Sequence, residues 1–273
     1  MKRSVLTLLL VTVFCSCEVY AQAAQRQDPP WVNQVLKHGL VLTVPQTGVA
    51  VVPDVTYREV NGEPLRMDIY RPTSSTKASP LPVIVFVHGG IPPNLLHNPK
   101  EWLAYKDFGR LAASSGFVGV TFNYRAYEGH ESLAADDLAA ALKFVRQQAV
   151  NYGIDTSRIN VALFSWGGRF LRPLLRGQQL IRSLAVYYGL VGSGDATSLT
   201  QARPIPTLVV RAGLDRPEIN AGIDQFVRDA LSSNLPVQVV NYPTGHHGFD
   251  IMDNTERSRQ IIQETIRFFQ QNN

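Results

Sequence analysis

Five consecutive apolar residues, Val83-Ile84-Val85-Phe86-Val87, constrain this chain more than any other segment. A run without alternation offers no polar face to water. As a strand it is buried on both sides, the condition of a parallel sheet covered by helices. Strand-like runs recur at residues 117–122, 159–164, 184–188, 207–210 and 237–242. Helical patterns stand between them. In residues 133–151, Leu138, Ala141, Leu142 and Val145 share one face at three-and-four spacing, and further helices are expected over 219–232 and 255–271. Upstream, residues 55–60 and 65–70 flank Asn61-Gly62, the chemistry of a tight hairpin turn. A hairpin followed by strand–helix units implies one α/β domain. Its sheet is mainly parallel with an N-terminal antiparallel hairpin, and helices cover both faces.

Composition supports that reading and removes others. The 273 residues are 45% hydrophobic and 18% charged, within the globular range, which excludes disordered, collagen-like and coiled-coil chains. The net charge of +4 is scattered without a basic tract, so nucleic acid is not an expected partner. Lys2 and Arg3 precede an apolar run from Val5 to Phe14, and Val19-Tyr20-Ala21 supplies a small-x-small exit. These are the parts of a secretory signal peptide over residues 1–21, which implies a secreted or periplasmic protein. The run is too short for a permanent membrane span, and no later stretch is long enough. Cys15 and Cys17 are the only cysteines and both lie in this segment. Cleavage after Ala21 would leave no thiol, disulfide or cysteine metal site; a lipoprotein cut before Cys17 is the minor alternative. Residues 22–53, rich in Pro and Gln, read as an irregular leader, and residues 54–273 as the α/β domain.

Chemistry concentrates at four strand ends. Ser165-Trp166-Gly167-Gly168 follows the strand ending at Phe164, a serine on a strand-to-helix turn with small residues beside it. His88-Gly89-Gly90 follows the buried run 83–87, where backbone N–H groups can face a cleft and hold an oxyanion. Gly213-Leu214-Asp215 and Gly245-His246-His247-Gly248-Phe249 follow two late strands. Taken singly, each has a plainer reading: a glycine turn, a capping aspartate, a solvated histidine. Together they place Ser165, Asp215 and His247 in the chain order Ser…Asp…His, each where a strand ends.

With "VIVFVHGG" at 83–90, "NYR" at 123–125, "INVALFSWGG" at 159–168, "AGLD" at 212–215 and "HHGF" at 246–249, the sequence resembles the α/β-hydrolase superfamily, in its esterase/lipase and dienelactone-hydrolase-like branch. The resemblance runs from Val55 to the C-terminus. It implies Ser165 as nucleophile, His247 as general base and Asp215 as the acid orienting it. The oxyanion hole it implies is the backbone N–H of Trp166 with Gly89 or Gly90. His247 is preferred over His246 because it directly precedes Gly248-Phe249. Three departures stand out. Leu163 occupies the place of the first elbow glycine, Ile91 interrupts a longer glycine run after Gly90, and bulky Trp166 follows the nucleophile.

The expected activity is hydrolysis of carboxylic esters through an acyl-enzyme, on a small-molecule or saccharide ester. No cofactor is needed, and no metal, since the histidines lack ligand-like spacing. The short connection between residues 188 and 207 leaves no room for a large cap domain, which favours small or soluble esters. Two alternatives stand beside this: a serine peptidase of the same fold, and an inactive binding protein on a hydrolase scaffold. Arg169, Arg172 and Arg176 follow the elbow at helical spacing. A solvated or ion-paired face is the expected role; contact between Arg169 and an acidic substrate group is the rarer one. Asp136 and Asp137 read as structural partners of Tyr124-Arg125 or as surface charge.

Overall fold

The computed structural model describes residues 36–91, 98–176, 181–200 and 204–273. The expected signal peptide, both cysteines and residues 22–35 of the expected leader lie outside the described residues. One eight-stranded sheet runs through the domain in the order β1-β2-β4-β3-β5-β6-β7-β8. Its strands are β1 (Val49–Val60), β2 (Glu63–Pro72), β3 (Leu81–Val87), β4 (Val118–Phe122), β5 (Ile154–Phe164), β6 (Ser183–Tyr187), β7 (Thr207–Ala212) and β8 (Val237–Tyr242). The β1–β2 and β2–β4 pairs are antiparallel and the rest are parallel. The hairpin turns at Asn61-Gly62, whose positive φ angles of 52° and 83° suit a type I′ turn. Strand β1 begins at Val49, so residues 49–53 belong to the sheet and not to an irregular leader.

Burial follows position in the sheet. β4 and β6 are buried at every residue and β3 at all but its first, whereas the edge strands β1 and β8 mix buried with exposed positions. Among the described residues, the α-helices of six residues or more are α1 (Leu103–Ser114), α2 (Glu131–Gln147), α3 (Leu171–Arg176), α4 (Pro217–Ser232) and α5 (Glu256–Gln271). The pattern expected over 133–151 divides at Gln148 into α2 and a single turn, Ala149–Tyr152, which ends on Gly153 in the left-handed conformation.

Helix α1 has no counterpart among the sequence expectations, and its packing explains why. Its buried face is Ala104, Tyr105, Asp107, Phe108, Gly109, Ala112 and Ala113, too mixed for a clean aliphatic stripe. A Cβ on Gly109 would fall 2.4 Å from the Tyr70 ring, and one on Gly119 of β4 would fall 2.6 Å from the Gly109 carbonyl oxygen. Two residues that read as helix or strand breakers are what let α1 lie directly on the sheet.

Candidate active site

The C-terminal ends of β5, β7 and β8 bring three distant residues together. Ser165 sits immediately after β5 with φ of 50°, in the left-handed region that a serine adopts only under constraint. The constraint comes from both sides. The Ser165 carbonyl accepts a hydrogen bond of 2.8 Å from the Leu190 N–H beyond β6. Gly167 lies so close to the carbonyls of Val87 and His88 that a Cβ there would stand 2.9 Å from each. Leu163, in place of the first elbow glycine, is fully buried and in register with Val87 and Val186. The turn after Ser165 is a 3₁₀ segment, Ser165–Phe170, followed by the short α3.

The acid and histidine loops are tied to each other before they reach the serine. Gly213 donates to the Tyr242 carbonyl at 2.7 Å and Leu214 to the Gly245 carbonyl at 2.9 Å. A Cβ on Gly213 would fall 2.2 Å from the Pro243 carbonyl oxygen, so only glycine permits this approach. Phe249 anchors the histidine loop. It is fully buried, with the Tyr187, Tyr188 and Tyr242 rings 5.4–5.8 Å away. Tyr188 also packs its ring on His247 at 4.6 Å, and its hydroxyl donates to Asp250 at 2.6 Å.

The resulting geometry is a relay. His247 Nε2 lies 2.8 Å from Ser165 Oγ, and His247 Nδ1 lies 2.7 Å from Asp215 Oδ2. The other Asp215 oxygen accepts the Arg216 N–H at 2.7 Å, and the Asp215 side chain is fully buried. With Nδ1–H donated to the carboxylate, Nε2 is left as the acceptor facing the hydroxyl. His246 stands outside this arrangement: it is exposed and paired with Asp253, 3.1 Å from its Nδ1.

The glycine loop borders the serine. A Cβ on Gly89 would stand 3.1 Å from Ser165 Cβ, and one on Gly90 3.1 Å from Trp166 Cγ. His88 is buried, and desolvation pushes its pKa down to about 3, so it is neutral. Its Nδ1 lies 2.6 Å from the Gly89 carbonyl oxygen. A neutral imidazole bonded there carries its proton on Nδ1 and draws that carbonyl toward itself. In a trans peptide the Gly90 N–H then points the opposite way. The Ile91 N–H is spent on the Ala126 carbonyl at 3.1 Å.

Sequence reading named Ser165, Trp166, Gly89, Gly90, Asp215 and His247, and all six lie at this one place. It missed Tyr188, Leu190, Arg216 and Asp250. Two of these, Arg216 and Asp250, sit one and three residues beyond the triad members Asp215 and His247. That adjacency is the one signal that could have drawn attention to them. Trp166 is half-buried; it lines the cleft and also meets Phe170 edge-on at 5.0 Å.

The topology and the strand-end site define the class by fold: this is the α/β-hydrolase fold. Comparison with known proteins agrees. Residues 67–177 match the model of the family described as BD-FAE, a span that holds the glycine loop and Ser165. A hyperthermophilic esterase from the archaeon Pyrobaculum calidifontis is similar in structure at TM-score 0.67 and 20% identity, with 93% of this chain and 96% of that one covered. A bacterial heroin esterase is similar at TM-score 0.66 and 18% identity, covering 85% and 87%. EstE1, a thermophilic carboxylesterase cloned from a metagenomic library, is similar at TM-score 0.66 and 20% identity, covering 85% and 91%.

Proposed function

We propose that this protein is a serine hydrolase that cleaves carboxylic esters. The observation that carries the reading is the Ser165–His247–Asp215 relay, with both contacts at hydrogen-bond distance. His247 takes the hydroxyl proton as Ser165 Oγ adds to the ester carbonyl, and buried Asp215 stabilises the imidazolium that forms. The Gly90 and Trp166 N–H groups receive the developing oxyanion. Collapse expels the alcohol, which takes the proton from His247. Water, activated by the same imidazole, then releases the acid and restores Ser165. Esterases among the structural neighbours support the substrate bond proposed here.

Small or soluble esters are the favoured substrates, because the connection from β6 to β7 is short and carries only the 3₁₀ turn Ala196–Leu199 among its described residues. Export through residues 1–21 belongs to the same reading, and N-terminal sequencing of the mature protein should then begin at Gln22. The decisive experiment pairs a fluorophosphonate label with acetyl and long-chain nitrophenyl esters, on wild type and Ser165→Ala. Labelling of wild type alone, acetyl ester preferred, and a loss of about a thousandfold or more in Ser165→Ala are expected. A wild type that neither labels nor turns over any ester sinks the reading.

A further inference from the structure

Two adjoining clefts open beside Ser165. One, of about 380 Å³, is lined by Gly90, Ser165 and Trp166; the other, of about 620 Å³, by Arg172, Val191 and Asp195. They share three wall residues, Arg169, Leu190 and Arg216. Two cations therefore stand where the space around the nucleophile continues into the larger cleft. Both are attached to the relay by the chain itself. Arg169 lies four residues beyond Ser165 in the same 3₁₀ turn, and Arg216 follows Asp215, to which its own N–H is bonded.

The surrounding acids leave these charges largely uncompensated. Asp195 is taken by Arg172, 2.6 Å from Arg172 Nε, and by the Gly192 N–H at 2.7 Å. Glu218 stands 3.7 Å from Arg216 with both side chains more than 60% exposed, a contact that water weakens almost completely. Glu128 lines the smaller cleft and is exposed. Arg169 is exposed and makes no ion pair or hydrogen bond with another described residue. Of the expected solvated or ion-paired face, Arg172 is ion-paired and Arg169 is solvated.

Resting on the esterase reading, we infer that the clefts take esters bearing a carboxylate, held by Arg169 with Arg216 beside it while the ester carbonyl meets Ser165. A guanidinium without a resident partner offers a planar two-pronged donor that matches a carboxylate. Two such groups on one wall favour an anion over the neutral analogue. Arg172, already engaged with Asp195 and the Ser193 carbonyl, holds the loop that forms the far wall.

The test compares each anionic ester with its neutral counterpart. On the acyl side, 4-nitrophenyl hydrogen glutarate is set against methyl 4-nitrophenyl glutarate. On the alcohol side, 4-(acetoxymethyl)benzoate is set against its methyl ester. The expected result is an anionic-to-neutral ratio of kcat/KM above one in one arm, which identifies the side carrying the charge. That ratio should fall about tenfold in Arg169→Ala, less in Arg216→Ala, partly recover in Arg169→Lys, and shrink with added salt. Ratios at or below one in both arms, or a ratio that Arg169→Ala leaves unchanged, overturn the inference. Loss of turnover on all four esters would sink the esterase reading instead. Calorimetry then decides the subsite: 4-nitrophenyl hydrogen glutarate should bind Ser165→Ala about ten times more tightly than Ser165→Ala/Arg169→Ala. Equal affinity refutes it.

Discussion

Asp215 and Asp137 have side chains equally removed from water, both 0% exposed, yet they sit in regions built on opposite principles. Asp137, on α2 where it meets β1, accepts four hydrogen bonds: 2.7 Å from Arg58 Nη1, and 3.1, 2.7 and 2.7 Å from Arg125 N, Nε and Nη2. Its charge is answered by two permanent cations. Asp215, at the crest of the sheet, has one backbone N–H and one imidazole. Its counter-charge is neutral at rest in the proposed cycle and becomes positive only when His247 takes the serine proton. A carboxylate that holds a fold together is paired in the ground state. One that serves a reaction keeps its strongest interaction for the transition state.

That contrast can be broken by two substitutions read on two scales. Asp215→Asn should lower kcat by about 10³–10⁴-fold, because the amide reverses the imidazole tautomer, and should leave Tm within a few degrees of wild type. Asp137→Ala should do the reverse. It strands two guanidinium groups that are themselves a fifth to a third exposed, for a cost of roughly 2–4 kcal/mol. In a domain of this size that is a Tm lower by about 5–12 °C, with kcat at 25 °C near wild type. Steady-state kinetics beside differential scanning calorimetry measures both. An Asp137→Ala enzyme that keeps its Tm but loses kcat would erase the distinction.

The same contrast separates what could be read in the sequence from what could not. β3 was legible in Val83–Val87 because burial on both faces leaves an unbroken apolar run. Ser165, Asp215 and His247 were legible because each follows a strand and the glycines beside them mark close backbone approach. α1 was hidden because its fit depends on Gly109 lying against Tyr70, a property of two segments distant in the chain. The different settings of Arg169 and Arg172 were equally hidden: their helical spacing places them on one face, and only the loop carrying Asp195 distinguishes them. Local chemistry is written locally; the pairing of charges is a tertiary fact.

The oxyanion loop carries the contrast to a group with no side chain. If Gly90 supplies its N–H while neutral His88 holds the Gly89 carbonyl away, a methyl group at Gly90 should shift the donor, since it meets Trp166 at 3.1–3.2 Å. Gly90→Ala is expected to lower kcat by about 10- to 100-fold. KM for a small neutral ester should move less than kcat, because the donor acts on the tetrahedral intermediate more than on the bound ester. A variant that raises KM with kcat intact would place the loop in substrate binding instead.

Asp250 tests whether every buried carboxylate must fall on one side of the contrast. It is buried behind His247, with the Tyr188 hydroxyl at 2.6 Å and no ion pair among the described residues; Asp253 adds like charge and Tyr105 stands nearby. Desolvation raises its pKa to about 6, against 3.8 in the unfolded chain. Between those values the folded state binds more protons than the unfolded one, so the Asp250 contribution to stability declines as pH rises from about 4 to 6. Asp250→Asn keeps an acceptor for Tyr188 and has no proton to lose. The Tm of the variant minus that of wild type should therefore grow by a few degrees between pH 4 and pH 7 and stay level above it. A difference that is flat across this range would mean Asp250 is as well compensated as Asp137, by a partner its surroundings do not reveal.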